Sequence, residues 1–234
     1  MSNSQAYRDF LEALELAESL LEIELGYPDP APPESRKIVE GLRGGAAILM
    51  VAAFENYLKD LVEEQLDDLT HLPLKFRIED VPKEMIFHNI EHLVVTTTRK
   101  KSTDKVKAYS DMAKVIVAGV MYPQSFTDAV RSNPNSEKLK EMFKRFGIKR
   151  FFEVIKADFD FFWGSNTADT FISDYLDSVL QRRHIVAHTA NALNISRVDL
   201  QNSLRFLIIL ATVCDIHLTE HIDKIRYPVI GTVI

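Results

Sequence analysis

Residues 168–189 read ADTFISDYLDSVLQRRHIVAHT, and the rest of the chain is interpreted outward from this stretch. Its apolar residues recur at steps of three and four, which is the spacing of one face of an α-helix. The predicted buried face consists of Ile172, Tyr175, Leu176, Val179, Leu180 and Val186. This motif helix, residues 168–189, ends in RRHIVAHT, which places Arg183, His184 and His188 in its last two turns.

Seven further helices are predicted from the same periodicity and from helix start and stop signals. They cover residues 4–26, 35–69, 82–99, 103–120, 136–146, 149–155 and 196–226. Residues 94–98 and 115–120 are rich in β-branched side chains, so a short pairing of extended segments is an alternative there. The chain is therefore predicted to be all-α, with one core that pairs the motif helix with residues 35–69 and 196–226.

The prediction divides the chain into three parts. Residues 1–34 form an N-terminal helix and a proline-rich connector, because the proline cluster at residues 28–33 does not allow helix. Residues 35–226 form a single helical domain, and residues 227–234 form a C-terminal tail.

Arg183 and His188 carry the chemistry that the motif suggests. An arginine provides a permanent charge whose planar fork matches phosphate oxygens. A histidine can accept and return a proton near neutral pH. Together they suffice to cleave a phosphodiester through an internal hydroxyl without a metal ion. The alternative is structural, because cations at the end of a helix also complement its dipole.

The pattern of arginine, a polar residue, three more residues and a histidine resembles the signature of the HEPN superfamily. Residues 52–61, AAFENYLKDL, resemble an early helix of bacterial HEPN families, and residues 139–148, LKEMFKRFGI, resemble the segment before the motif helix. The resemblance implies an all-α, HEPN-like helical bundle with additional helices. It also implies ribonuclease activity, in a toxin–antitoxin or phage-defence setting. His184 suits the position after the arginine.

The resemblance assigns roles to four residues. His188 would take the proton from a ribose 2′-hydroxyl, and Arg183 would neutralise charge on the phosphate in the transition state. His184 would orient a phosphate or contact a partner motif. Glu55, carried over from the family-like Phe54-Glu55 pair, would orient the catalytic residues, with a surface ion pair as the alternative.

The spacing of the motif raises a geometric question. Positions five apart on a straight helix lie about 140° apart around its axis, so Arg183 and His188 do not share a face. Either the last turn loosens before Asn191, or a second subunit brings its own pair across a twofold interface, as the resemblance implies. The homodimer is favoured, because it doubles the positive charge around one RNA strand.

Other site chemistries have less support in the sequence. Three histidine pairs are spaced four apart, namely His88/His92, His184/His188 and His217/His221, but each lacks a third ligand nearby in sequence. No metal and no cofactor are therefore predicted. The aromatic residues at 151–163 suit either base stacking or a core under the motif helix, and the core is favoured.

Charge and composition set further limits. The net charge of -6 does not suit a protein that coats nucleic acid through bulk charge. Residues 99–107 and 138–150 are nonetheless basic, and they would either guide RNA or form solvated helix faces. The single cysteine, Cys214, and a polar N-terminus predict a reducing, cytoplasmic location without a membrane span.

The predicted partners are substrate RNA, a second copy of the chain and an antitoxin protein. The alternative functions are a non-catalytic HEPN dimer that binds nucleotide, RNA or protein, and a plain helical assembly protein.

Overall fold

The computed structural model describes residues 3–70, 81–98, 102–118, 121–128, 130, 133–189 and 195–227. Within these ranges the chain forms nine α-helices and no strand, so the all-α prediction is confirmed. The helices are α1 (Gln5–Leu25), α2 (Arg36–Thr70), α3 (Lys83–Thr98), α4 (Ser102–Ala118), α5 (Pro123–Thr127), α6 (Ser136–Arg145), α7 (Phe151–Trp163), α8 (Phe171–Thr189) and α9 (Arg197–Arg226).

The 35-residue helix α2 lies at the centre of the bundle and packs against α1, α5, α8 and α9. Phe54, Tyr57 and Leu58 of α2 are fully buried in a single core that includes apolar residues of α1, α7, α8 and α9. The Tyr57 hydroxyl donates a hydrogen bond of 2.7 Å to the carbonyl oxygen of Ala211 on α9. Because that hydroxyl is buried, this bond also fixes the register of α2 against α9.

A buried ionic cluster ties three helices together at the end of the bundle where α8 finishes. Glu24 of α1 accepts hydrogen bonds from Nε of Arg43 on α2, at 2.8 Å, and from Nε of Arg197 on α9, at 2.7 Å. Arg43 also donates to the carbonyl oxygen of Ile195 at 3.2 Å and lies 3.1 Å from Asp29. Burial lowers the pKa of Arg43, but the bonds and charges of Glu24 and Asp29 outweigh it and raise that pKa above its usual value. The cluster thus fixes the point where the chain enters α9.

Helix α7 is longer than the sequence predicted. It continues beyond Ile155 to Trp163 because Phe159 is buried and Trp163 packs between α8 and α9. The Trp163 ring lies 5.4 Å from the Phe171 ring and 6.4 Å from the Phe206 ring, measured between centroids. Phe151, Phe152 and Phe159 are core residues, as predicted, whereas Phe161 and Phe162 are exposed. The last two turns of α7 are therefore held by aromatic contacts with α8 and α9.

The β-branched segments do not pair as strands. Residues 94–98 belong to α3 and residues 115–118 to α4, and the two helices pack against each other. Residues 119 and 120 lie outside the described residues. α5 was not predicted, because five residues are too few to show helical periodicity. The outward face of α4 is apolar and exposed, with Val106, Tyr109 and Val117 among its residues.

Of the described helices, α9 is the one long and apolar enough, by length and composition, to cross a membrane. In its most apolar window, 56% of the residues are buried inside the protein. Phe206, Leu210 and Cys214 lie in the shared core, where α9 packs against α2 and α7. The hydropathy of α9 is therefore that of a central core helix.

Replacing Glu24 tests how much the buried cluster contributes. Glu24→Ala leaves two arginines without their carboxylate, so we expect the free energy of unfolding to fall by about 3–5 kcal/mol. The matched control is Glu22→Ala, which removes an exposed carboxylate from the same helix and should change stability by less than about 0.5 kcal/mol. Urea denaturation measures both, and equal effects of the two substitutions would contradict a central role for the cluster.

Candidate active site at the end of the motif helix

Helix α8 stays regular through Thr189, and this decides where the motif residues lie. Leu176 and Val179 are buried, and Arg183 lies within about 40° of both around the helix axis. Arg183 therefore continues the inward face of α8, and its side chain is half-buried. His184 and His188 lie about 100° and 140° away from it and are exposed. The alternative in which the last turn loosens toward the arginine is wrong for the described part of α8.

The two neighbouring arginines differ in what they contact. Arg182 donates a hydrogen bond of 2.8 Å from Nη1 to Oγ of Ser203, and its Nη2 lies 3.8 Å from Oδ1 of Asp199. Its guanidinium also lies 5.8 Å from the centroid of the Tyr175 ring. These contacts fasten α8 to α9. Arg183 has no hydrogen bond, ion pair or ring contact with any described residue, so the arginine of the motif is the one the fold leaves unpaired.

Asp199 completes the anchoring of Arg182. Ser196 and Asp199 form a capping box at the start of α9, in which each side chain bonds the backbone N–H of the other. The hydrogen bond from the Ser196 hydroxyl, followed by its backbone bond and the charge of Arg182, lowers the pKa of Asp199 despite partial burial. Asp199 therefore stays ionised beside Arg182, and its charge helps to keep the Arg182 guanidinium against α9.

The two motif histidines contact each other. Their ring centroids lie 4.3 Å apart, with the ring planes inclined by 52°. Neither imidazole has a hydrogen bond or ion pair with a described residue. The other two pairs are used in packing, through contacts of His92 with Asp128 (2.9 Å), His217 with Asp158 (2.8 Å) and His221 with the Phe146 carbonyl (2.7 Å). His184 and His188 are thus available for chemistry in a way that the other pairs are not.

Glu55 lies on α2 and forms no hydrogen bond or ion pair with a motif residue among those described. Its Oε1 accepts a bond of 3.0 Å from Nζ of Lys59, one turn further along the helix. The structure thus brings Arg183, His184 and His188 to one end of α8, but it does not join Glu55 to them by a hydrogen bond. The orienting role of Glu55 stays a prediction.

A polar cavity that the sequence did not indicate opens beside His184. Its volume is about 240 Å³, and its walls are Asn133, Asn135, Asp177, Leu180, Gln181 and His184. Residues 133–135 form one side of the cavity and α8 forms the other. Asp177 of α8 holds the two sides together, because it accepts hydrogen bonds from the backbone N–H of Ser136 at 2.8 Å and from the Ser136 hydroxyl at 2.7 Å. The sequence SNPN at residues 132–135 predicts a turn, and nothing in that pattern tells which helix the turn will meet.

The described part of the chain holds no cluster of metal ligands, and its basic run at 138–150 is largely paired with carboxylates. No group of three or more histidine, cysteine, aspartate or glutamate side chains there could hold an ion. Cys214 is fully buried, and burial raises the pKa of its thiol well above the usual value. Much of the basic run at 138–150 is paired locally, in contacts of Lys140 with Glu137, Lys144 with Glu141, Lys149 with Glu84 and Arg150 with Glu153.

Comparison with known proteins adds one finding. The chain matches the family described as RiboL-PSP-HEPN over residues 9–220, a range that extends from α1 into α9 and includes Arg183, His184 and His188. No curated protein and no solved structure matches the chain.

A comparison of Arg182→Ala with Arg183→Ala tests the contrast between the two arginines. Arg182→Ala removes a hydrogen bond from a charged donor and should cost about 1.5–3 kcal/mol of folding stability. Arg183→Ala removes no described polar contact and should stay within about 0.5 kcal/mol of the wild type. Thermal unfolding monitored by circular dichroism measures both. A loss from Arg183→Ala as large as that from Arg182→Ala would mean that the motif arginine has a structural role.

Proposed function

The chain belongs to the RiboL-PSP-HEPN family, and we propose that it is a metal-independent endoribonuclease of the HEPN type. Family membership confirms the HEPN resemblance of the chain. It supports RNA cleavage without establishing it, because HEPN domains are often ribonucleases but not always. The proposal therefore rests on the geometry of the motif helix.

The observation that carries the proposal is the contrast between Arg183 and its surroundings. Val179, one turn before it on the inward face, lies in the core, and the adjacent Arg182 is bonded to Ser203. Arg183 and His188 are polar, accessible and without a polar partner among the described residues. Polar groups without a partner in the fold remain available to a substrate, as a catalytic site requires. Leaving them unpaired costs some folding stability.

The proposed reaction follows from the chemistry of these groups. The imidazole of His188 takes the proton of a ribose 2′-hydroxyl, and the 2′-oxygen forms a bond to the adjacent phosphorus. The bond from phosphorus to the 5′-oxygen breaks, and that oxygen takes a proton from water. Arg183 stabilises the charge that builds on the phosphate oxygens. His184, in contact with His188, orients the phosphate. The products are a 2′,3′-cyclic phosphate and a 5′-hydroxyl.

A second copy of the chain completes this arrangement. Arg183 faces the bundle while His188 faces outward, so one straight helix directs them apart. Ile185 is an exposed apolar residue on the outer side of α8, between the two histidines in sequence. A twofold contact that places the C-terminal ends of two α8 helices side by side would bring the motif of one subunit beside that of the other, so that His188 of one subunit could act with Arg183 of its partner.

The biological setting is part of the proposal. The residues that resemble bacterial HEPN families favour a role in toxin–antitoxin or phage-defence systems, in the cytoplasm, with an antitoxin protein as a second partner. A non-catalytic HEPN dimer that binds nucleotide, RNA or protein is the rival function. It is favoured by the net charge of -6 and by the ion pairs that neutralise the basic run at 138–150.

Substitution of the motif tests catalysis. His188→Ala should lower RNA cleavage by about 10²–10⁴-fold, because the general base is lost. Arg183→Ala should lower it to a similar extent, and Arg183→Lys should recover little, since an ammonium cannot reproduce the planar contact to phosphate. EDTA should leave the wild-type rate unchanged, and DNA should resist cleavage because it lacks the 2′-hydroxyl.

The matched control for this experiment is His217→Ala, which removes a histidine that packs against Asp158 far from the motif in sequence. It should leave cleavage unchanged. Gel analysis of product ends should detect 2′,3′-cyclic phosphate. Cleavage that persists in folded His188→Ala, or that stops on chelation, would refute the mechanism.

Mixing two inactive variants tests the composite site. In a mixture of Arg183→Ala and His188→Ala proteins, mixed dimers contain one intact arginine and one intact histidine on opposite subunits. If the pair acts across the interface, mixing should restore cleavage. The restored activity, relative to the wild type, should not exceed the fraction of dimers that contain one subunit of each variant. Sedimentation should show a dimer at tens of micromolar. A strict monomer with full activity would rule out the two-subunit site.

A further inference from the structure

The motif histidines belong to a longer polar stripe on α8. Asp177, Gln181, His184 and His188 lie within about 60° of one another around the helix axis and follow one another in successive turns. The polar cavity opens at the N-terminal half of this stripe, and His184 forms one of its walls. His184 also contacts the ring of His188. A ligand that occupies the cavity would therefore lie next to the proposed general base.

The lining of the cavity indicates what kind of ligand it suits. Asn133 and Gln181 present carboxamides whose donors and acceptors have no partner among the described residues. The carboxamide oxygen of Asn135 accepts the backbone N–H of Lys138 at 2.9 Å, which leaves its amino group for another acceptor. Leu180 contributes an apolar surface. Carboxamides beside an apolar wall suit a flat heterocycle with both donors and acceptors on its edge.

The charge of the lining argues against a phosphate in the same place. Asp177 carries a carboxylate at the cavity wall, and the described lining residues include neither lysine nor arginine. An anion would be repelled by Asp177, and among the described lining residues His184 alone could offset that repulsion. A neutral nucleobase is not repelled by Asp177 and does not need a cationic side chain. Proteins that read single-stranded RNA hydrogen-bond the exposed edges of its bases in this manner.

We propose that the cavity lined by Asn133, Asn135, Leu180, Gln181 and His184 is a nucleobase subsite, which binds a base adjacent to the scissile phosphate and sets the sequence preference of cleavage. The inference rests on the proposed function, because it assigns a specificity-determining role to residues beside the same catalytic histidine. His184 then separates the two subsites, with the base on one side of its ring and the reacting phosphate near His188 on the other.

Sequencing of the cleavage products from a randomised single-stranded RNA tests the subsite. Wild-type protein should prefer a particular base at one position next to the cut. Gln181→Ala and Asn133→Ala should each weaken that preference on the order of 10-fold, because each removes one carboxamide that reads the base. Gln181→Glu replaces the amino donor with an acceptor, so its preference should move toward bases that offer a donor, such as cytosine. The control is Gln124→Ala, which removes a glutamine from a different cavity and should not alter the preference.

Binding of the four nucleoside monophosphates to His188→Ala protein separates this inference from the catalytic one. Calorimetry should show binding that depends on the base and that weakens when Gln181→Ala is added. If RNA is not cleaved but this base-dependent binding is found, the catalytic proposal fails and the subsite stands. If RNA is cleaved with the same preference in the wild type and in all three variants of Gln181 and Asn133, the subsite is refuted. Absence of both cleavage and base-dependent binding refutes both.

Discussion

The buried carboxylate of Glu24 is the constraint on which the motif end of the bundle depends. It accepts hydrogen bonds from Arg43 of α2 and Arg197 of α9, and it is fully buried. Removing three charged groups from water is costly, and the cost is recovered only when the bonds keep their geometry. The cluster therefore holds the C-terminal end of α1, the N-terminal part of α2 and the start of α9 in one arrangement. Because Arg43 also bonds the Ile195 carbonyl, the residues just before α9 are held against α2.

Helix α8 combines a buried packing face with the polar motif residues at its C-terminal end. Leu176 and Val179 fill the core, and Arg182 bonds to α9 through Ser203. Arg183 occupies a position on the inward face where a packing residue would be expected, yet it has no polar partner among the described residues. His184 and His188 lie on the outward side and contact each other. The proposed catalysis accounts for an unpaired arginine and two exposed histidines at one end of α8, and complementing the helix dipole is the structural alternative.

The polar cavity extends the same argument to specificity. The motif supplies a proton acceptor and a positive charge, and both are indifferent to which base flanks the phosphate. In the proposed nucleobase subsite, Asn133 and Gln181 would supply directional donors and acceptors that distinguish bases. The acidic net charge fits such a site, because selectivity that depends on hydrogen bonds does not need a broad basic surface.

The sequence by itself determined the helical class, most helix bounds and the motif, because these depend on neighbours within one or two turns of the same helix. Periodicity located α1, α2, α8 and α9 to within a few residues, and the spacing from Arg183 to His188 is readable without a fold. The extent of α7 was decided by the tertiary structure, since Trp163 packs against Phe171 at the start of α8 and against Phe206 on α9, which is distant in sequence. The same holds for the choice between Arg182 and Arg183, which depends on Ser203 and Asp199, and for the cavity, which forms where residues 133–135 meet α8. Side-chain partners across helices are set by packing, and a pattern along one helix carries no information about them.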